Sequence, residues 1–316
     1  MPKKLTITLS LLLSFSLLIG TACDKWFGGE GESTPTATPT QVTTNIPTQT
    51  PEQLASELSV HFIDVGQGDA ILLDAGSFEC LIDGGDGKAD ITNYLKDYVD
   101  GNIELVVATH PHADHIGGLI SVLDEFNVGG IWLNGDTSTS KTYDDFMGRV
   151  NSEDNAVVNV VDQSWNDSWD LCDYFKPNST CHLEFDILNP SDTLFNDTND
   201  NSIVILATWG NVSFLFTGDA EQEAESSMIS AGVLKDVDIL KVGHHASRTA
   251  TSQPFLDIVK PEVAIYMAGV GNTYGHPHAE TITKLNDIGA EIYGTDVNGT
   301  ITVTTDGVTY TIQTEK

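Results

Sequence analysis

Positive charge is scarce in this sequence. Over 316 residues, 14 Lys+Arg stand against 46 Asp+Glu, a formal net charge of −32. That balance argues against a protein that coats DNA or anionic lipid through a basic face. Cysteine is scarce as well, and four cysteines are too few to build a disulfide scaffold at this length. After residue 19 no apolar run approaches the roughly 20 residues that a membrane-spanning helix needs. What is present is a 40% hydrophobic content, enough for a sizeable core in one large or two modest domains.

The N-terminus has its own character. Lys3 and Lys4 precede the apolar run Leu5–Ile19, and Gly20, Thr21 and Ala22 lead into Cys23. A basic start, a short apolar core and a small-residue exit describe a secretory signal, so residues 1–22 are expected to be a signal peptide. Cys23 in that position resembles the lipobox of bacterial lipoproteins, although Gly20 stands where that family usually has Leu. The expectation is an exported, cell-surface lipoprotein whose only membrane contact is a lipid on Cys23. The alternative is a secreted chain with Cys23 free. Residues 23–58 contain a Thr/Pro-rich stretch too polar to order itself and read as a tether. The folded body is expected at 59–316, where 41 acidic residues face 11 basic ones. Cys172 and Cys181 flank a short polar loop and are expected to pair in an oxidising environment, and Cys80 reads as a buried thiol. Nothing in the sequence points to a protein partner.

Within the body, strand-like and helix-like segments alternate. Val60–Val65, Ala70–Asp74 and Glu79–Asp83 read as strands divided by Gly-rich turns, then Ile91–Tyr98 as a helix and Ile103–Thr109 as a buried strand. Ile116, Leu119, Ile120 and Leu123 have helical spacing and predict one helix over Ile116–Phe126. Later strands are expected at Leu183–Leu188, Ile203–Thr208, Val212–Thr217, Asp238–Val242, Val263–Tyr266, Gly299–Thr304 and Val308–Gln313. Helices are expected at Ala220–Ser230, Gln253–Val259 and Ala279–Ile288. Two halves with sheets inside and helices outside suit a four-layer α/β sandwich.

The chemistry lies in the histidines. Seven of the nine fall in three clusters: His110, His112 and His115; His244 and His245; His276 and His278. Each cluster follows an expected strand, where polar groups can converge at one sheet end. His110 and His112 sit two apart, so both rings can point to one side. Asp114 and His115 follow in the turn that opens a helix and can face a second ion. Imidazole with one carboxylate suits Zn²⁺ and similar ions. Asp219, in Thr217-Gly218-Asp219, is a strand-end carboxylate that could bridge two ions. Either His244 or His245 should ligate the second ion, the other orienting it or touching substrate. His276 and His278 are candidates to touch a leaving group or phosphate, or, for His278, to cap the next helix.

These motifs resemble the metallo-β-lactamase superfamily. Asp64-Val65-Gly66-Gln67-Gly68-Asp69-Ala70, the Gly243–Ser247 segment and Tyr274–His278 look like the extracellular hydrolase domain of the ComEC family of DNA-uptake proteins. The resemblance covers nearly all of 59–316. It implies an αββα sandwich with a dinuclear site at the sheet edges. His110 and His112 would hold one ion, Asp114 and His115 the other, and Asp219 would bridge. Asp83, Asp69 and Asn201 would be supporting residues. The superfamily usually has a further histidine where this chain reads Asn199-Asp200-Asn201-Ser202, so the first site is richer in oxygen and tolerates Mn²⁺ as well as Zn²⁺. Ala246 stands where that family more often has Gly. No segment matches the membrane channel of that family, so translocation is not implied.

The expected function is an exported two-metal phosphodiesterase or nuclease acting on DNA through a metal-bridging hydroxide. Asp114 would orient that nucleophile or take its proton. Lys241, Arg248, His276 or His278 would meet phosphoryl oxygens. Two alternatives remain: a hydrolase of a small ester (a phosphocholine, a nucleotide or a lactone) and a non-catalytic metal-binding surface lipoprotein.

Overall fold

The structure, a computed structural model, describes residues 57–316 apart from 77, 100, 166–168 and 173–181. The expected signal peptide, the lipidation at Cys23 and nearly all of the tether therefore lie outside the described residues, as does Cys181. Cys172 is buried and disulfide-bonded, and Cys80 is a free, buried thiol.

Period-two alternation builds two sheets. In chain order the strands are β1 (Leu58–Phe62), β2 (Ile71–Asp74), β3 (Glu79–Ile82), β4 (Asn102–Ala108), β5 (Asn127–Leu133), β6 (Val157–Val160), β7 (Trp169–Asp170), β8 (Leu183–Asn189), β9 (Val204–Trp209), β10 (Val212–Phe216), β11 (Ile239–Lys241), β12 (Val263–Tyr266), β13 (Glu291–Gly294), β14 (Ile301–Thr305) and β15 (Tyr310–Thr314). One sheet has the order β15-β14-β1-β2-β3-β4-β5-β6 and the other β13-β12-β11-β10-β9-β8-β7. Along β10, Val212, Phe214 and Phe216 point between the sheets while Leu215 points outward. Along β2, Ile71 and Leu73 point between the sheets and Leu72 outward. Alternate side chains leave opposite faces of a strand, so each sheet is apolar on both sides and needs cover on both.

Helices supply the outer cover. On the first sheet lie α1 (Ile91–Leu95), α2 (Ala113–Ile116), α3 (Leu119–Glu125) and α4 (Lys141–Val150), contributing Ile91, Ile116, Leu119 and Phe146 to one apolar cluster. On the second lie α5 (Gln222–Ala231), α6 (Gln253–Val259) and α7 (Ala279–Asp287), contributing Met228, Phe255 and Leu285 to another. A third cluster, with Phe62, Trp209 and Phe214, fills the space between the sheets. Three apolar interfaces define four layers, the expected αββα arrangement.

Three local differences from the sequence reading have physical causes. The single helix expected over Ile116–Phe126 is two, α2 and α3, divided at Gly117-Gly118. A Cβ on Gly118 would sit 1.9 Å from the Gly84 carbonyl, so the helix pair packs directly on the loop after β3. Strands β5, β6, β7 and β13 and helix α4 were not expected. The Gly-Gly within Asn127–Leu133 reads as a turn, and α4 buries only Phe146 and Val150 among polar residues. The closing hairpin begins two residues later than expected, at Ile301 and Tyr310.

Candidate metal centre

The clustered residues leave corresponding ends of parallel strands. Strands β3, β4 and β5 run parallel in one sheet, and β10, β11 and β12 in the other. Asp83 follows β3, Thr109–His115 follow β4, Thr217–Asp219 follow β10, and a short 3₁₀ turn, Gly243–Ala246, follows β11. That turn is strained: His244, His245 and Ala246 have φ of 45°, 53° and 63°, in the left-handed region that costs non-glycine residues of order 1–3 kcal/mol each. A glycine would be free of this cost at Ala246. The three left-handed residues send the two adjacent rings to different places.

Asp219 is the hub. Its Oδ2 lies 3.2 Å from His115 Nε2, 3.3 Å from His245 Nε2 and 3.7 Å from His244 Nε2. His245 Nε2 is also 3.4 Å from Asp114 Oδ2. His110 Nε2 and His112 Nδ1 face each other at 3.0 Å, and the His110 and His115 rings are 4.1 Å apart. Among the described residues, four ligand groupings have their donor atoms within 4.8 Å of one another: His110, His115 and Asp219; Asp114, His115 and His245; Asp69, Asp83 and His115; and Asp69, Asp219 and His245. The geometry thus brings His245, rather than His244, into the metal-facing set. His244 instead gives its Nδ1 to Glu221 Oε1 at 2.6 Å near the rim.

An outer ring of contacts fixes these ligands. His115 Nδ1 pairs with Asp83 Oδ2 at 2.8 Å, and Asp83 also accepts the Thr109 N–H and hydroxyl. His245 Nδ1 donates to the Met267 carbonyl at 2.9 Å, so its Nε2 is the free donor. Ser202 Oγ sits 3.3 Å from His110 Nδ1 and accepts the Asp219 N–H. Contacts of this kind set tautomer and ring orientation in metal sites. Ser202, Glu221 and Met267 were missed by the sequence reading. Ser202 and Glu221 adjoin recognised motifs, whereas a backbone carbonyl leaves no sequence signal.

Lys241 is a correction. It was expected to meet a phosphoryl oxygen, yet it is buried, its ammonium paired with Asp69 and donating to the Gly218 carbonyl at 2.8 Å. Its Nζ is also 3.8 Å from Asp219 Oδ1, so it balances carboxylates from behind the site. His278 is placed differently from its expected substrate contact: its Nδ1 accepts the Arg248 N–H, bracing the loop after His245, and its backbone caps α7. Arg248 is exposed, with Glu280 3.9 Å away. Asn201 holds the Phe195 backbone and donates to Asp136 Oδ2, away from the histidines.

The site opens into a cavity of about 350 Å³ lined by Gln67, His112, Asp114, Asn199, Asp219, His244, His245, Tyr274 and His276. Burial, with His245 and His244 beside it, pushes His276 down to about 4, so at neutral pH it is an uncharged imidazole. It can donate a hydrogen bond to a phosphoryl oxygen but brings no positive charge. Tyr274 stacks on it with ring centroids 5.7 Å apart and an interplanar angle of 18°.

Protonation of the metal-facing set is shared. Burial opposes charge on Asp219, but His245, His115 and His244 hold its carboxyl well below the usual range. Burial likewise opposes charge on His115 and His245, but Asp219, with Asp83 for the first and Asp69 for the second, raises both imidazoles well above 6.5. Cation binding at their Nε2 atoms must therefore displace protons near neutral pH, and affinity is expected to rise with pH. The sign for stability follows. A histidine whose folded pKa is raised stabilises the metal-free fold below about 6.5, and that contribution is lost as pH climbs through the folded value. The melting-temperature increase caused by Mn²⁺ or Zn²⁺ is therefore expected to grow between pH 6 and 8. Titration calorimetry in buffers of different ionisation enthalpy should register proton release. No release, together with a pH-independent shift, would contradict the assignment.

The donor set fits a divalent cation. Asp219 Oδ1, His115 Nε2 and His245 Nε2 are buried without a hydrogen bond, while Asp69 is ion-paired with Lys241. Orphaned buried polar atoms of this kind are costly unless something binds them.

Residues 61–170 match a family described as the metallo-beta-lactamase superfamily, a stretch that includes His110–His115 and ends before Asp219. The chain is 28% identical over 269 residues to ComE operon protein 3 of Bacillus subtilis, covering 78% of this chain and 33% of that protein. It is 31% identical over 253 residues to Recombination protein 2 of Haemophilus influenzae, covering 77% of this chain and 28% of that protein. The chain thus spans about a third or less of the length of these curated relatives. The metallo-beta-lactamase fold protein YhfI of Bacillus subtilis superimposes with a TM-score of 0.49 at 12% identity, covering 76% of this chain and 96% of that one.

Proposed function

We propose that this chain, whose residues 61–170 match the metallo-beta-lactamase superfamily, is a metal-dependent hydrolase, a two-ion phosphodiesterase that acts on nucleic acid outside the cell. The observation that carries this reading is the convergence of buried donor atoms from His115, His245 and Asp219, of which His245 and Asp219 line an open cavity. His110, His112 and Asp219 would hold one ion, and Asp114, His115, His245 and Asp219 the other. Bound there, Zn²⁺ or Mn²⁺ supplies Lewis acidity that brings the pKa of a water to about 7 and offsets charge on a phosphoryl oxygen.

The chain's own residues supply the rest. Burial works against the Asp114 carboxylate, but the His245 imidazole 3.4 Å away and the charge of His115 keep it ionised, able to orient a water by accepting its hydrogen. His276 offers a neutral N–H. Tyr274, 64% exposed at the cavity rim, presents a ring on which a base can stack. Lys88 and Arg248 are exposed cations, and Lys88 lies within electrostatic reach of Tyr274 and Asp114. A relative named for recombination supports nucleic acid as substrate. Export, with residues 23–58 as a tether and Cys23 lipidated, places the same domain at the cell surface.

One observation favours the small-ester alternative. With Lys241 turned inward, the site presents less positive charge than a polyanion track needs, on a body whose acids repel DNA until screening sets in beyond about 8 Å. The discriminating test incubates the full chain with single-stranded DNA and Mn²⁺ or Zn²⁺. Shortened DNA supports the proposal. Intact DNA with cleavage of bis-p-nitrophenyl phosphate selects the small-ester reading, and two bound equivalents with no ester turned over selects a binding lipoprotein. Tyr274→Ala is expected to raise KM on single-stranded DNA roughly 10-fold, the value of about one stacked base, and to leave bis-p-nitrophenyl phosphate turnover near parental. Equal effects on both substrates would remove the stacking role.

A further inference from the structure

Asn199 opens the 3₁₀ turn Asn199–Asn201 just ahead of β9, and its side chain lines the cavity with His112, Asp219, His244 and His245. Its side chain lies within reach of the Glu221 carboxylate. A carboxylate only accepts, so the amide Nδ2 belongs on that side and Oδ1 is turned elsewhere. Glu221 cannot swing away to change this, because its Oε1 is held by His244 Nδ1 and the Thr249 hydroxyl, each at 2.6 Å. The remaining Asn199 Oδ1 is buried and has no partner. Under the two-ion reading the first ion has His110, His112 and Asp219, three donors where an octahedral Mn²⁺ takes six.

Resting on the two-ion reading above, we infer that Asn199 Oδ1 is a ligand of the first ion and tunes that site toward a harder cation. A neutral amide oxygen joins one carboxylate and two imidazoles there, a set that suits Mn²⁺ better than a third imidazole would. The orphaned oxygen then has a function, and its burial, costing about 1–3 kcal/mol when unpaired, has a return.

The test measures metal binding rather than turnover. The full chain, Asn199→Leu and Asn199→His are stripped with chelator and titrated with Mn²⁺ and, separately, Zn²⁺, with circular dichroism of the metal-free proteins as a check on folding. Asn199→Leu is expected to weaken Mn²⁺ at one site by at least about 10-fold and leave the other unchanged. Asn199→His is expected to shift the Zn²⁺/Mn²⁺ preference of that same site toward zinc by about 10-fold or more. Parental Mn²⁺ affinities in Asn199→Leu, or an unshifted preference in Asn199→His, overturn the assignment. If Asn199→Leu fails to fold, the preference of Asn199→His decides alone. A parent that holds a single equivalent of either metal fails the two-ion reading separately, and the Asn199 substitutions still report on that one ion.

Discussion

Asp219→Asn is expected to lose at least about 1,000-fold in kcat/KM on any phosphodiester the protein cleaves, about 4 kcal/mol of transition-state stabilisation. Among the described residues, Asp219 Oδ2 comes within 3.3 Å of both His115 Nε2 and His245 Nε2, and Asp219 belongs to both the His110–His115 group and the Asp69–His245 group. Asparagine has the same shape, so the loop after β10 should keep its course, including the Asp219 N–H donated to Ser202. What disappears is the charge, and an amide NH₂ can take the position of an acceptor. The bound metal per chain should fall with the activity. Parental turnover in Asp219→Asn, measured with saturating Mn²⁺ or Zn²⁺ on bis-p-nitrophenyl phosphate, would end the two-ion mechanism.

Lys241→Met should act on stability. The ammonium is buried with Asp69 and within 3.8 Å of Asp219, and removing it leaves Asp69 with only the neighbouring histidines as counter-charge. Breaking a buried pair from one side costs about 3–5 kcal/mol, and replacing both partners costs much less. The metal-free Lys241→Met protein should therefore unfold at clearly lower urea than the parent, with Asp69→Asn/Lys241→Met recovering much of the difference. KM for substrate should hardly move once the variant is folded and metal-loaded. A raised KM with unchanged stability would return Lys241 to a substrate-binding role.

The position of Lys241 was open to a closer sequence reading. Side chains two apart on a strand share a face, and Lys241 lies two after Ile239, which packs between the sheets. Parity therefore sends the ammonium inward, where only the site's carboxylates can receive it. His278 had no comparable signal. The hydrogen bond from the Arg248 N–H depends on how two loops far apart in sequence meet. Helix α4 and strand β5 escaped notice because a polar surface helix and a strand interrupted by Gly-Gly do not show a clean hydrophobic period.

Composition, the spacing His110-x-His112-x-Asp114-His115 and the placement of each cluster just after a strand determined the layered fold, the class of chemistry and most of the donor set. These are local properties: side-chain chemistry, period-two alternation and the reach of neighbouring residues need no knowledge of distant contacts. Which ring of His244 and His245 faces the site, which groups lock each imidazole, and which amide oxygen is left over at Asn199 were decided only in three dimensions. Each depends on left-handed backbone at one strand end meeting carboxylates carried there by other strands, and no one-dimensional pattern encodes that meeting.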